Sequence, residues 1–159
     1  MIIRVSIADM KLCSIPDKIT TIGLGSCVGV VLYDPTKPVA GMVHIMLPDS
    51  TKIRQNQNLL KFADTGIEAL VEALEKAGLQ RKKLKAKIAG GAKMFKFSSD
   101  SVVGNVGEKN IIAVREKLDE LQIPIIAEDV GENYGRTILF DPQTQELTVT
   151  MAGNISRVI

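Results

Sequence analysis

Hydrophobic residues along this chain follow two periods, and each period marks a set of predicted elements. Apolar runs rich in β-branched residues at 28–33 and 39–47 flank a turn-forming segment at 34–38, which predicts a pair of adjacent strands. Apolar residues recur every three or four positions from Leu59 to Leu74 and from Ile111 to Leu121, which predicts two amphipathic helices. The first helix is expected to start near Asn58 and to end near Gly78. Shorter strands are predicted at 2–8, 11–14, 18–22, 87–89, 125–130, 137–140 and 146–151, with polar loops at 49–57 and 98–104.

This order of elements predicts the fold class. Several strands precede a helix, a strand, a second helix and three further strands, with no repeat and no regular β-α-β alternation. We therefore expect an α+β protein in which mixed β-sheet, in one sheet or more, packs with the two amphipathic helices. The length of 159 residues suits one domain, so we expect a single domain over residues 1–159.

Composition and charge argue against several classes of partner. Lysine and arginine number 20 against 18 aspartate and glutamate, and aromatic residues make up only 4% of the chain, which disfavours base stacking on nucleic acid. No apolar run approaches the roughly 20 residues of a membrane span, and the N-terminus lacks the apolar core of a signal peptide. We expect a cytoplasmic protein that neither binds nucleic acid nor inserts into a membrane. The one basic cluster is predicted to be a solvated connection, formed by Arg81, Lys82, Lys83, Lys85 and Lys87.

The candidate chemistry lies on the two paired strands. Cys27 follows Gly25 and Ser26 at the start of the first strand, and His44, the only histidine, lies on the second. A thiol beside an imidazole can carry out covalent acyl transfer, because the histidine takes the thiol proton and leaves a nucleophilic thiolate. Burial on an apolar strand keeps an imidazole neutral, as a general base requires, and we expect an activated Cys27 to have a depressed pKa. The backbone around Gly25 and Ser26 is a candidate oxyanion hole.

Other notable residues have structural explanations beside functional ones. Cys13 is predicted to be buried and inert. The glycines at 23, 25 and 29 superficially resemble a dinucleotide-binding loop, but a strand follows them where that loop needs a helix. Gly90-Gly91 either forms a turn or makes room for a ligand, and Arg136 either binds an acidic group or, as we favour, forms a structural ion pair. We expect no cofactor and no metal.

Five stretches together resemble the CheD family, the chemoreceptor glutamine deamidases of bacterial and archaeal chemotaxis. They follow the family's order along nearly the whole chain, and as a set they are specific. They are Thr21-Ile22-Gly23-Leu24-Gly25-Ser26-Cys27-Val28, Gly41-Met42-Val43-His44-Ile45-Met46-Leu47-Pro48, Gly90-Gly91-Ala92-Lys93-Met94-Phe95, Gly107-Glu108-Lys109-Asn110 and Gly131-Glu132-Asn133-Tyr134-Gly135-Arg136.

The resemblance implies a reaction and a set of residues. Cys27 would be the nucleophile, His44 the base, and Thr21 the group that orients the imidazole. The implied reaction hydrolyses glutamine side-chain amides on the cytoplasmic helices of chemoreceptors, giving glutamate and ammonia through a Cys27 thioester. The implied partner is the CheC phosphatase. Two alternatives stay open: a binding module that regulates CheC without catalysis, and a methylesterase acting on receptor glutamates.

Overall fold

Two β-sheets and two α-helices make up the described part of the chain, which is residues 1–54, 57–94 and 105–159 of a computed structural model. The helices are α1 (Ala63–Lys76) and α2 (Val106–Glu120). The strands are β1 (Ile2–Val5), β2 (Met10–Ser14), β3 (Lys18–Leu24), β4 (Val28–Tyr33), β5 (Val39–Ile45), β6 (Lys85–Gly90), β7 (Ile125–Val130), β8 (Arg136–Asp141), β9 (Glu146–Met151) and β10 (Ile155–Val158).

The strands divide into two mixed sheets. The first sheet has the order β1-β3-β8-β9-β10 and the second the order β2-β5-β4-β6-β7. One pair in each sheet is parallel, β1 with β3 and β6 with β7, and the other pairs are antiparallel. The expected α+β class with mixed sheets and two helices is confirmed.

Strand β4 lies in the middle of the molecule, and its six residues are all buried. Successive side chains of a strand point to opposite faces. Val28, Val30 and Leu32 accordingly join the apolar core shared with α1 and α2. Val31 and Tyr33 join a second core, which lies between the two sheets. The second sheet is therefore covered on both faces, by the helices and by the first sheet.

Most of the predicted elements are confirmed, including the paired strands β4 and β5, the strand at 125–130 and the final hairpin. The predicted start of α1 is wrong: Asn58 caps a short 3-10 turn, and Phe62 is extended and bridges Leu47, so the helix begins at Ala63. Strand β10 was not predicted, since its four residues are all exposed and give no apolar period. The predicted loop at 98–104 lies outside the described residues.

One member of the basic cluster departs from its expected role. Lys87 is buried, and its ammonium group donates hydrogen bonds to the carbonyls of Gln145 and Ile159 at 2.6 and 2.8 Å. Burial lowers the pKa of this amine. Lys87 therefore ties β6 to the first sheet instead of lying in solvent. Among the helices of the described residues, none is long and apolar enough to cross a membrane.

Candidate active site

The candidate nucleophile lies on a short connection between the two sheets. Residues 25–27 join β3 of the first sheet to β4 of the second. The pairing of β3 with β8 shifts register between Thr21 and Leu24, and Gly23 in this irregularity has φ +77°. A positive φ is readily adopted by glycine, and a bulge re-aims the chain that follows it. The bulge thus turns the chain out of the first sheet at the point where Cys27 follows.

Cys27 and His44 lie on the same face of adjacent strands. His44 is paired with Gly29, and Cys27 is two positions before Gly29, so Cys27 is a diagonal cross-strand neighbour of His44. Both side chains face the core between the sheets; Cys27 is 8% exposed and His44 only 2%. The register therefore places the two side chains on the same side of neighbouring segments. Gly29 itself lets the first sheet pack closely, since a Cβ there would lie 2.7 Å from Ile138 Cδ1.

The third predicted residue, Thr21, reaches His44 from the opposite sheet. Thr21 Oγ1 lies 2.7 Å from the Val5 carbonyl oxygen and 2.7 Å from His44 Nδ1. A carbonyl only accepts hydrogen bonds, so the single hydroxyl hydrogen is donated to Val5. Thr21 Oγ1 must then accept from Nδ1–H of the imidazole. This fixes the neutral tautomer in which Nε2 carries the free lone pair.

The free nitrogen of the imidazole is buried and available. His44 Nε2 has no hydrogen-bond partner in the part of the chain that the structure describes. Burial lowers the pKa of His44, so the ring is neutral near pH 7 and able to accept a proton, as expected.

The expected depressed thiol pKa is wrong for the free protein. Burial raises the pKa of Cys27, and raises that of Cys13 to about 11. The resting pair is therefore a neutral thiol and a neutral imidazole, and proton transfer has to accompany attack on a substrate.

The backbone of the connection is held by its carbonyl groups. The Gly25 carbonyl accepts from Ala92 N at 2.8 Å, and the Cys27 carbonyl accepts from Gly91 N at 2.8 Å. Within residues 1–54, 57–94 and 105–159, no backbone acceptor bonds the N–H of Ser26 or Cys27. The carbonyls thus point into the protein while these two donors stay available, as an oxyanion hole requires.

The open question about Gly90-Gly91 is answered by the same contacts. Gly90 has φ +114°, and a Cβ there would lie 2.2 Å from the Cys27 carbonyl oxygen. The glycine pair therefore lets the chain approach the nucleophile's backbone closely enough for Gly91 N to bond it. The pair ends strand β6 beside the site, and the space next to Gly90 is filled by the protein's own backbone.

Arg136 forms the structural ion pair that we favoured. Its side chain is fully buried, and Nε lies 3.0 Å from Asp129 Oδ1 while Nη1 donates to the Gly131 carbonyl at 2.9 Å. The guanidinium also lies 4.5 Å from the centre of the Tyr134 ring. Arg136 thus fixes the end of β7 to the start of β8. In the described part of the chain, no group of three or more His, Cys, Asp or Glu side chains is arranged to hold a metal.

One polar residue at the site, Asn110 in the stretch Gly107-Glu108-Lys109-Asn110, was given no role by the sequence reasoning. Asn110 of α2 is fully buried, and its Nδ2 lies 2.9 Å from the Ser26 carbonyl and 3.1 Å from the Met46 carbonyl. A signal existed, because Asn110 is a polar residue on the helix face that carries Gly107 and Val114 into the interior.

Comparisons with known proteins agree with this picture. Residues 46–151 match a family model described as CheD chemotactic sensory transduction, a match that begins just after His44. A protein of Lachnoclostridium phytofermentans is 58% identical over 157 residues, covering 99% of this chain and 98% of its own. Proteins of Caldanaerobacter subterraneus and Clostridium botulinum are 56% and 52% identical, covering 96% and 95% of this chain and 94% and 93% of theirs. All three are named "Probable chemoreceptor glutamine deamidase CheD".

The same fold occurs in a protein of distant sequence. A crystal structure of a Neisseria meningitidis protein from family DUF152 matches with a TM-score of 0.55 at 6% identity, covering 88% of this chain and 74% of that one. At this identity the likeness concerns the fold alone. The near full-length identity to the three relatives, together with the family match over residues 46–151, establishes that this chain belongs to the CheD family.

Proposed function

We propose that this protein is a chemoreceptor glutamine deamidase of the chemotaxis adaptation system. The observation that carries the proposal is the hydrogen-bonded pair Thr21–His44, which leaves His44 Nε2 unprotonated on the face that Cys27 shares. The names of the relatives supply the substrate class. A protein that acted only by binding would have no physical need for an oriented imidazole beside a thiol.

The proposed reaction converts a glutamine side chain and water into glutamate and ammonia. His44 Nε2 accepts the proton of Cys27 as the sulfur attacks the amide carbon, and the developing oxyanion takes hydrogen bonds from the Ser26 and Cys27 amides. Nε2–H then protonates the departing nitrogen, which leaves as ammonia and yields a thioester. In the second half, Nε2 takes a proton from water, hydroxide attacks the thioester, and the proton returns to the Cys27 sulfur.

Thr21 acts throughout on the other side of the ring. Its hydroxyl oxygen accepts from Nδ1–H in the neutral state and in the imidazolium state, so the ring keeps its orientation through both proton transfers. A hydroxyl stabilises imidazolium less than a carboxylate does. The proton therefore resides on His44 only briefly, as the burial of the ring also favours.

The experiment is mass spectrometry of a chemoreceptor cytoplasmic fragment incubated with this protein. Conversion of defined glutamines to glutamate by the wild type, and none by Cys27→Ala, is the expected result. A receptor fragment carrying methylated glutamates, assayed in parallel, tests the methylesterase alternative. Absence of conversion of either substrate by folded wild-type protein, across several receptors, would refute the proposal and favour a regulatory binding module.

We also propose a cytoplasmic location and the CheC phosphatase as a partner, on the family resemblance. Chemoreceptor signalling helices lie in the cytoplasm, so an enzyme acting on them has to be there. Co-elution of the two purified proteins, with Cys27→Ala in place of the wild type as the control, tests the partner independently of turnover. Failure of both forms to bind CheC would contradict it.

A further inference from the structure

Asn110 joins the two strands that carry the candidate nucleophile and base. Its side chain projects from α2 and is fully buried. The Ser26 and Met46 carbonyls can only accept hydrogen bonds, so the nitrogen end of the amide has to face them, and its two hydrogens suffice for both. Ser26 immediately precedes Cys27, and Met46 follows His44 by two residues. One side chain thus holds the backbone of both functional segments.

The bridge lies where the strand ladder ends. The last pair of β4 and β5 is Val28 with Ile45, so the same register would place Ser26 opposite Leu47. Leu47 N instead donates to the Lys61 carbonyl at 3.0 Å, as the chain leaves the sheet. The Ser26 carbonyl has therefore lost the partner that a continued ladder would provide. Asn110 supplies a donor in its place and connects it to the β5 side.

The helix that carries Asn110 is itself closely seated. A Cβ at Gly107 would lie 2.3 Å from the Ala92 carbonyl and 2.7 Å from the Gly91 carbonyl, so α2 contacts the segment that bonds the Cys27 backbone. A functional group carried on a rigid element is held more precisely than one on a loop.

The hydrogen bonding of the Asn110 amide also indicates that this side chain does more than fill space in the core. Asn110 Oδ1 has no hydrogen-bond partner in the described part of the chain, and an unpaired buried acceptor opposes folding. An apolar side chain would avoid this penalty. The gain from the amide lies in its two N–H groups, which hold Ser26 and Met46 at a set separation.

We propose that Asn110 is a positioning residue that sets the distance between the Cys27 sulfur and His44 Nε2. Asn110 is fully buried and touches neither reacting atom, so it acts through the two backbones. This proposal rests on the proposed function, because the alignment of Cys27 with His44 matters only if the two residues react together. Proton transfer depends steeply on distance, and a misplacement of about 1 Å lowers rates by about 100-fold.

The test compares Asn110→Asp with Val114→Ala. Asn110→Asp keeps the shape of the side chain but places a carboxylate oxygen against the two carbonyls. Val114 is equally buried one turn further along α2, in the core against the second sheet, and calibrates the effect of a loss of stability alone. Two quantities are measured on each folded protein: kcat and KM for deamidation of a receptor fragment, and the rate of Cys27 alkylation by iodoacetamide as a function of pH.

We expect Asn110→Asp to lower kcat by about 10- to 100-fold relative to Val114→Ala, with KM changed by less than about threefold. We also expect Cys27 to be alkylated more slowly in Asn110→Asp than in Val114→Ala across the pH range, because His44 no longer takes the thiol proton as the sulfur attacks. Values of kcat and an alkylation profile that match those of Val114→Ala would overturn the proposal. If Asn110→Asp does not fold, Asn110→Ser, which retains one donor, takes its place; failure of both to fold would also overturn it, since Asn110 would then be needed for the fold.

The alkylation measurement separates this proposal from the proposed function. It needs no receptor, so it reports on Asn110 even if the wild type deamidates nothing. Wild-type turnover with unaffected Asn110 variants would refute only the positioning role. Absence of wild-type turnover with an altered alkylation profile in Asn110→Asp would support the positioning role and refute the deamidase.

Discussion

Thr21→Val tests how the imidazole is oriented. Valine has nearly the shape of threonine, so the substitution removes the hydroxyl without opening a cavity at this fully buried position. Two hydrogen bonds of 2.7 Å are lost together, leaving the Val5 carbonyl and His44 Nδ1–H without their partner. The ring can then move its proton to Nε2, and in that tautomer it cannot accept the proton of Cys27.

The size of the effect follows from these two bonds. Each buried polar group left unpaired costs about 1–3 kcal/mol, so Thr21→Val should lose about 2–6 kcal/mol of folding stability. The hydrogen bond to Nδ1 also favours the tautomer in which Nδ1 carries the proton and Nε2 can accept one. Loss of about 1–3 kcal/mol from that bias lowers kcat by roughly 5- to 150-fold at about 1.4 kcal/mol per factor of ten. Cys27→Ala should abolish turnover, so Thr21→Val is the milder change.

The assay combines receptor deamidation with nitrogen NMR of the imidazole. His44 is the only histidine, so selective ¹⁵N labelling reports one ring directly. The matched control is Thr20→Val, because Thr20 Oγ1 donates to the Ile138 carbonyl at 2.7 Å and takes no part in the contact with His44. We expect a proton on Nδ1 in the wild type and in Thr20→Val, and a shift toward Nε2 in Thr21→Val.

Two outcomes would refute this reasoning. Complete loss of turnover in folded Thr21→Val, equal to that of Cys27→Ala, would show that Thr21 does more than orient the ring. An unchanged tautomer and a kcat equal to that of Thr20→Val would show that it does not orient the ring at all. Thr21→Ser keeps the hydroxyl and should stay within a few-fold of the wild type.

Three further predictions concern the support of the site. Gly90→Ala should unfold the protein or destabilise it by more than about 3 kcal/mol in chemical denaturation, because its φ is +114° and the new Cβ would meet the Cys27 carbonyl at 2.2 Å. Burial lowers the pKa of His44, so the unfolded chain takes up a proton near pH 6.5 and the folded protein does so only at lower pH. The free energy of unfolding should therefore fall as the pH drops below about 6.5. His44→Gln should reduce this pH dependence of the free energy of unfolding between pH 7 and 5. Arg136→Met should destabilise the protein by less than the roughly 3–5 kcal/mol of an unpaired buried charge, because Arg157 Nη2 remains 3.0 Å from Asp129 Oδ2. Adding Asp129→Asn should recover part of the loss, whereas no recovery would contradict the ion-pair role.

The strand pair that carries the site could be predicted from local sequence. β-Branched runs on both sides of the Asp34-Pro35 turn specify two strands, and alternation along each strand places Cys27 and His44 on the same side once the register is fixed. The burial that keeps His44 neutral also follows from its apolar neighbours. These features depend on residues within about one hairpin, which is the range that sequence patterns describe.

The contacts that complete the site join residues far apart in the chain, and local patterns do not contain them. Asn110 donates hydrogen bonds to carbonyls 84 and 64 positions away in the chain. The pattern of an amphipathic helix does not predict which groups a buried asparagine on it will bind. The thiol pKa was misjudged for a related reason: the nearby imidazole was expected to lower it, whereas the core that buries Cys27 raises it. The start of α1 was misplaced because Phe62 is held extended by its bridge to Leu47, a contact between separate elements.

The hydrogen bond from His44 to Thr21 spans the boundary between the two sheets. Each sheet can complete its own ladder of backbone hydrogen bonds without the other, so strand content alone does not produce the required tautomer. Only when the layers dock in register does the ring acquire its proton arrangement. The tautomer of His44 therefore reports whether the two sheets have packed against each other. An expanded form that keeps the native far-ultraviolet circular dichroism but has loosened sheet packing should be inactive.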